Sequence, residues 1–220
     1  MYLNSPINII ENYISKDTCN FLISCYNETF KENPEGRPGI LGGPSDTAGR
    51  SHMIGPGKYA FPGYEQNFYK NIATDLTTNI INSMSRTISD FYNDRVDPRV
   101  IFFSKMIEGS FIDPHFDNYL NDGQKVYPHG TEKTIIDKIG FKTDYSGLLY
   151  LNDSYEGGEI NFTQYDIKLK PKPGTFIFFE GNKNTMHGVN KIISGERINL
   201  VSFYWSTEYN KKYFEELSNK

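Results

Sequence analysis

The chain has 220 residues, enough for one globular domain but too few for two independent cores of ordinary size. Its 23 Lys and Arg against 27 Asp and Glu give a net charge of −4, which argues against nucleic acid or an anionic membrane as a partner. A mean hydropathy of −0.56 without a long apolar run excludes a membrane-spanning helix, and the first residues lack a signal-peptide pattern. We therefore expect a single-domain cytoplasmic protein.

Residues 1–98 form the helical part of the predicted domain. Apolar residues recur near helical spacing within residues 9–30, after a short strand or turn, and again at steps of three or four within residues 64–92. Residues 33–63 lie between these helices and contain eight Gly and five Pro, a composition that does not sustain a continuous helix or strand. This segment is predicted to be a long irregular loop that acts as a lid or binding loop.

Beyond residue 98 the sequence changes to short apolar runs between turn signals, a pattern typical of an antiparallel sandwich or barrel. An aromatic content of 15% also favours a substantial sheet. The predicted strands cover residues 100–107, 148–151, 159–162, 167–169, 175–179 and 198–205.

Two of the four histidines stand where a metal site can form. His115 and Asp117 are two residues apart, and if they end a strand, side-chain alternation puts both on one face, where they can chelate one ion. A second imidazole, for which His187 is the natural candidate, would complete a set of two histidines and one carboxylate that leaves positions of an Fe(II) open. The histidine and aspartate pair alone is weak evidence, since His115 could equally cap a strand end.

Further motifs follow this pair in a fixed order. They are Gly-Leu-Leu-Tyr-Leu-Asn-Asp at 147–153, Glu-Gly-Gly-Glu-Ile-Asn-Phe at 156–162, Pro-Gly-Thr-Phe-Ile-Phe-Phe at 173–179, His187, and Gly-Glu-Arg-Ile-Asn-Leu at 195–200. The ordered set resembles the core of the Fe(II)/2-oxoglutarate-dependent dioxygenases, in their prolyl 4-hydroxylase-like branch. The resemblance covers residues 99–205. It implies a mainly β fold with flanking helices: a double-stranded β-helix (jelly-roll) of about eight strands over residues 99–207, packed against the N-terminal helices, with a C-terminal tail at 208–220.

The resemblance also implies roles for individual residues. His115, Asp117 and His187 would bind the iron. Arg197, ten residues past the second ligand histidine, would pair with the distal carboxylate of 2-oxoglutarate, a role that suits a planar guanidinium. The Tyr150 hydroxyl would contact the same carboxylate. The alternative for Arg197 is an arginine on the surface of a strand, and the alternative for Tyr150 is a core tyrosine whose hydroxyl is hydrogen-bonded within the protein.

Two positions depart from the family pattern. Relatives often place another tyrosine against 2-oxoglutarate shortly before the first ligand histidine, whereas residues 105–109 contain none. Tyr150 would then make that hydrogen bond alone. Phe203 stands where relatives often hold a substrate-facing tryptophan.

The implied activity is hydroxylation of a prolyl residue in a peptide or protein, with decarboxylation of 2-oxoglutarate to succinate and CO₂. The implied cofactors are Fe(II), 2-oxoglutarate as cosubstrate, O₂ and, optionally, ascorbate. The open loop at 33–63 favours a polypeptide, with Arg37, Arg50 and Tyr59 as further candidate substrate contacts. Two alternatives remain: the same chemistry on a free amino acid or other small molecule, and a non-catalytic jelly-roll binding module.

Overall fold

The structure, a computed structural model, describes residues 6–32, 38–39, 51–56, 65–66, 71–117 and 143–207. Its two helices are α1 (Lys16–Glu32) and α2 (Asn71–Tyr92). The strands, in chain order, are β1 (Asn8–Ile10), β2 (Pro38–Gly39), β3 (Ser51–Pro56), β4 (Glu65–Gln66), β5 (Val96–Met106), β6 (Ile112–His115), β7 (Tyr145–Tyr150), β8 (Tyr155–Gly157), β9 (Ile160–Phe162), β10 (Ile167–Leu169), β11 (Phe176–Glu180), β12 (His187–Val189), β13 (Ile192–Gly195) and β14 (Arg197–Ser206).

The strands form a major sheet, a minor sheet and one separate pair. The major sheet has the order β1-β11-β7-β14-β5-β3-β2, with β4 attached to β3, and the minor sheet has the order β10-β9-β12-β6. The separate pair consists of β13 and β8. Among the described strands, all pairs are antiparallel except that of β3 with β4. This architecture confirms the predicted jelly-roll with flanking helices.

The two helices cover the outer face of the major sheet, as predicted. Helix α2 has no Gly or Pro, and its buried residues Ile81, Met84 and Ile88 recur at helical spacing against the sheet. In β14, the central strand of this order, Leu200 and Tyr204 belong to the helix-facing cluster. No helix in the described part of the chain combines the length and apolar composition that a bilayer-spanning segment needs.

Odd-numbered residues of β14 face the opposite way, into the space between the two sheets. Val201 and Phe203 belong to an interior cluster that also contains Phe162 of the minor sheet. Side chains alternate along a strand, so Arg197 and Asn199 share this interior face. One face of β14 therefore presents polar residues to the interior, and the other face packs against the helices.

The prediction of an irregular loop over residues 33–63 is wrong in part. Residues 51–56 form β3, and residues 51–54 pair with residues 103–106 of β5, which places β3 inside the major sheet. Glycine and proline enter β3 only at its last two positions, so the composition of the whole segment hid a short strand. Residues 38–39 form β2, which pairs with β3, and the structure does not describe the other residues of this segment, including Arg37, Arg50 and Tyr59, nor the tail at 208–220.

Candidate metal centre

The structure brings together the three residues that the sequence predicts as metal ligands. His115 ends β6, His187 begins β12, and these two residues are direct partners in the minor sheet. Asp117 lies two residues past the end of β6. The Nε2 atom of His115 is 3.4 Å from Oδ1 of Asp117, and the Nε2 atom of His187 is 3.7 Å from Oδ2. One ligand atom from each residue can be chosen so that all three lie within 4.8 Å of one another.

Backbone carbonyls fix the orientation of both imidazole rings. The Nδ1 atom of His115 lies 2.8 Å from the Asp113 carbonyl, and that of His187 lies 3.0 Å from the Thr185 carbonyl. A ring that donates its Nδ1 hydrogen presents the Nε2 lone pair to the centre, which is the usual arrangement around a bound metal. The Phe179 ring, with its centroid 4.8 Å from that of His187, shields this side of the site from water.

Asp117 is buried but ionised. Burial by itself would raise the pKa of its carboxyl, but His187, His115 and a hydrogen bond from Ser146 outweigh it and lower the pKa to about 2. The Ser146 hydroxyl donates to Oδ2 at 2.5 Å. Burial also lowers the pKa of His187 to about 4, so its imidazole is neutral near pH 7. The pKa of His115 is raised, because the effect of Asp117 exceeds that of burial.

This donor set fits an iron ion. Two imidazole nitrogens and one carboxylate on one side of an ion are the ligands of mononuclear Fe(II) oxygenases, and they leave other positions open. Ligands bound at about 2 Å stand about 3 Å apart, so the separations of 3.4 and 3.7 Å need little adjustment.

A second group of polar residues lies around Arg197, which is only 2% exposed. Its Nη2 donates to the Tyr150 hydroxyl at 2.7 Å, and its Nη1 donates to Oδ1 of Asn199 at 3.2 Å. Burial raises the pKa of Tyr150 and the guanidinium only partly offsets this, so the hydroxyl is neutral. Arg197 is therefore not a surface arginine.

The guanidinium has no anionic partner among the residues that the structure describes. Its contacts there are neutral groups, including the Met106 sulfur at 3.3 Å from Nη1, and its buried Nε has no hydrogen-bond partner. An unpaired buried cation is costly, so a bound anion would relieve this arrangement. The distal carboxylate of 2-oxoglutarate fits this requirement.

Two further residues of the site, Ser146 at Asp117 and Asn199 at Arg197, were not among the residues predicted from the sequence. Alternation along β7 could have indicated Ser146, because it lies four residues before Tyr150 and so on the same face. Phe203 is the cross-strand partner of Ser146, is partly buried, and has its ring centroid 6.1 Å from that of Phe102. Phe203 therefore lies beside the strand that supports the metal ligand.

Comparison with known proteins agrees with the resemblance. Residues 101–205 match the model of the 2OG-Fe(II) oxygenase superfamily. Among characterised proteins, prolyl 3-hydroxylase 2 of Rattus norvegicus is 46% identical to this chain over 66 residues. The match covers 28% of this chain and 9% of that protein. The chain thus spans about a tenth of the length of the curated relatives it matches.

Two solved structures share the fold over most of the chain. The viral collagen prolyl hydroxylase of Paramecium Bursaria Chlorella virus-1, in complex with 2OG, has a TM-score of 0.57 and 20% identity, covering 91% of this chain and 96% of that one. The prolyl hydroxylase of Trichoplax adhaerens, in complex with a peptide fragment of the hypoxia inducible factor, has a TM-score of 0.64 and 14% identity, covering 93% and 86%.

Proposed function

We propose that this protein is an Fe(II)- and 2-oxoglutarate-dependent dioxygenase that hydroxylates a prolyl residue in a peptide or protein and releases succinate and CO₂. One observation carries the proposal: a buried group of metal ligands and a buried guanidinium with no anionic partner among the described residues both contact the same face of β7, through Ser146 and Tyr150. His115, Asp117 and His187 supply the first, and Arg197 with Tyr150 supplies the second. When bound, the iron would activate O₂ for reaction with an unactivated C–H bond.

The protein's own residues would position the cosubstrate. Strand β7 carries both Ser146, which supports Asp117, and Tyr150, which contacts Arg197, about 13 Å further along the strand. We expect a five-carbon dicarboxylate to bridge the two groups, with its 2-oxo acid end at the metal and its distal carboxylate at the guanidinium. The apolar interior cluster around this space would exclude water from the reaction.

A prolyl substrate is supported by the names of the relatives and by the character of the site. The relatives named above are a prolyl 3-hydroxylase, a collagen prolyl hydroxylase and a prolyl hydroxylase in complex with a peptide fragment. Phe203 offers a partly buried apolar surface beside Ser146, suited to a pyrrolidine ring. We keep Arg37, Arg50 and Tyr59 as proposed substrate contacts, on a lid within residues 33–63 that excludes the residues of β3.

The test is turnover with a panel of proline-containing peptides and free proline, in the presence of Fe(II), 2-oxoglutarate and O₂. We expect one succinate for each oxygen atom that mass spectrometry finds on a peptide proline, and fragmentation with a reference standard would distinguish carbon 3 from carbon 4. Oxygen on the free amino acid alone would favour the small-molecule alternative. If the wild type binds the peptide but produces no more succinate than Asp117→Ala does, the binding module would be favoured.

The lid has its own test. Peptide and 2-oxoglutarate with Mn(II), which replaces iron without turnover, should protect the chain from trypsin at Arg37 and Arg50. Cleavage that is unchanged by the peptide would remove the lid from the proposal while leaving the chemistry in place. The cytoplasmic location and the use of ascorbate stay predictions, to be checked by fractionation of the native host and by turnover with and without ascorbate.

A further inference from the structure

Three buried donors in one small region have no hydrogen-bond partner among the described residues. They are Nε of Arg197, Nδ2 of Asn199 and the hydroxyl of Tyr155. Buried polar groups are nearly always paired in folded proteins. Two unpaired donors beside a guanidinium whose own Nε is also unpaired therefore indicate a ligand that accepts hydrogen bonds.

Tyr155 reaches this region from a strand that the sequence analysis did not predict. It lies in β8 opposite Gly195 of β13, two residues before Arg197 in the chain. Its ring packs in a cluster with Met106, whose sulfur contacts the Arg197 guanidinium at 3.3 Å. Burial raises the pKa of Tyr155 to about 12, and the opposing effect of the Arg197 charge is smaller. The phenol is thus a neutral donor next to the cation.

The Tyr155 ring is held in place from more than one direction. Gly158 has a positive φ of +65°, and a Cβ there would lie 3.1 Å from the tyrosine ring, so the backbone approaches the ring closely. The Lys170 ammonium lies 4.8 Å from the ring centroid and donates to the Tyr155 carbonyl. A donor fixed in this way before the ligand arrives loses little entropy on binding.

We propose that the Tyr155 hydroxyl donates a hydrogen bond to the distal carboxylate of 2-oxoglutarate, alongside Arg197 and Tyr150. This inference rests on the proposed function for the identity of the ligand. A carboxylate has about four lone-pair sites, so it can accept from all three side chains. Residues 105–109 offer no second tyrosine, and Met106 occupies the place beside the guanidinium there. In this chain the second tyrosine comes from β8 instead, and Tyr150 does not act alone.

The test compares two ligands on the Mn(II)-loaded protein, by calorimetry and without turnover. One ligand is 2-oxoglutarate, and the other is 2-oxopentanoate, which has the same chelating end but no distal carboxylate. Tyr155→Phe should bind 2-oxoglutarate about tenfold more weakly and bind 2-oxopentanoate unchanged. In turnover, the KM for 2-oxoglutarate should rise with kcat unchanged.

Tyr204→Phe is the matched control. The Tyr204 hydroxyl is also buried without a hydrogen-bond partner within the described residues, but it lies in the cluster under the helices. This variant should bind both ligands as the wild type does. Both variants keep the aromatic ring and remove a hydroxyl that has no hydrogen-bond partner among the described residues, so neither should lower the free energy of unfolding.

Each result decides for or against the inference. A Tyr155→Phe variant with unchanged affinity for 2-oxoglutarate would overturn it and leave the proposed function standing. An equal loss of affinity for both ligands would also overturn it, because the tyrosine would then support the metal site or the fold rather than the distal carboxylate. A wild-type protein that does not prefer 2-oxoglutarate over 2-oxopentanoate would overturn the proposed cosubstrate and this inference together.

Discussion

The Ser146→Ala substitution tests whether the hydrogen bond from Ser146 to Asp117 strengthens metal binding. The Ser146 hydroxyl donates to Oδ2 of Asp117 at 2.5 Å, and both residues are buried, so water does not easily replace the lost donor. A hydrogen bond to an ionised group contributes about 1.5–3 kcal/mol. If that contribution orients and polarises the ligand carboxylate, its loss should weaken metal binding by about 10- to 100-fold.

The assay is a calorimetric titration of the metal-free protein with Mn(II), which requires no O₂ chemistry. Ser202→Ala is the matched control, because the Ser202 hydroxyl is equally buried and donates to the Gly147 carbonyl at 3.0 Å on the neighbouring strand, away from the ligands. The control should lose about 1 kcal/mol of unfolding free energy and keep its metal affinity. Metal affinity that falls equally in both variants, or in neither, would refute the role of Ser146.

Three further predictions concern the anchor, a thiol and the backbone. Arg197→Ala should raise the 2-oxoglutarate concentration for half-maximal turnover by at least about 30-fold and should retain metal binding, and Arg197→Lys should recover part of the loss. If this concentration is unchanged in both variants, another residue binds the distal carboxylate. Burial raises the pKa of the Cys19 thiol to about 11. Alkylation of Cys19 at pH 8 should therefore be at least about 100-fold slower in the native protein than in the unfolded protein, and equal rates would contradict this. Gly174→Ala should lower the free energy of unfolding by at least about 2 kcal/mol more than Gly109→Ala does. Both glycines have a positive φ, but only at Gly174 would the new Cβ meet a backbone oxygen, at 2.2 Å. Equal losses of stability in urea unfolding would exclude the clash.

The metal ligands could be predicted from the sequence because their signal is local. His115 and Asp117 are two residues apart at the end of a strand, and the position of His187 follows from the order of motifs that surrounds it. Arg197 follows from the same order. The main helices and most major-sheet strands were also predictable, because their apolar residues recur at the helical period or fall in runs bounded by turns.

The residues that support the site could not be predicted in the same way, because their roles depend on pairing between strands distant in sequence. Tyr155 meets the guanidinium only because β8 pairs with β13, and Ser146 meets Asp117 across the interior of the sandwich. Strands of three residues such as β8 and β12 are too short to show a period. Strand β3 was missed because its few residues lie in a segment rich in glycine and proline.

The most direct measurement is an anaerobic titration of the metal-free protein, first with Fe(II) and then with 2-oxoglutarate, followed by visible absorption. A 2-oxo acid that chelates Fe(II) produces a charge-transfer band that neither component shows alone. We predict that the wild type binds one iron and develops the band with one equivalent of 2-oxoglutarate, and that Asp117→Ala does not. A wild type that binds no iron, or binds it without developing the band, would contradict the assignment of His115, Asp117 and His187 as the centre of a 2-oxoglutarate-dependent oxygenase.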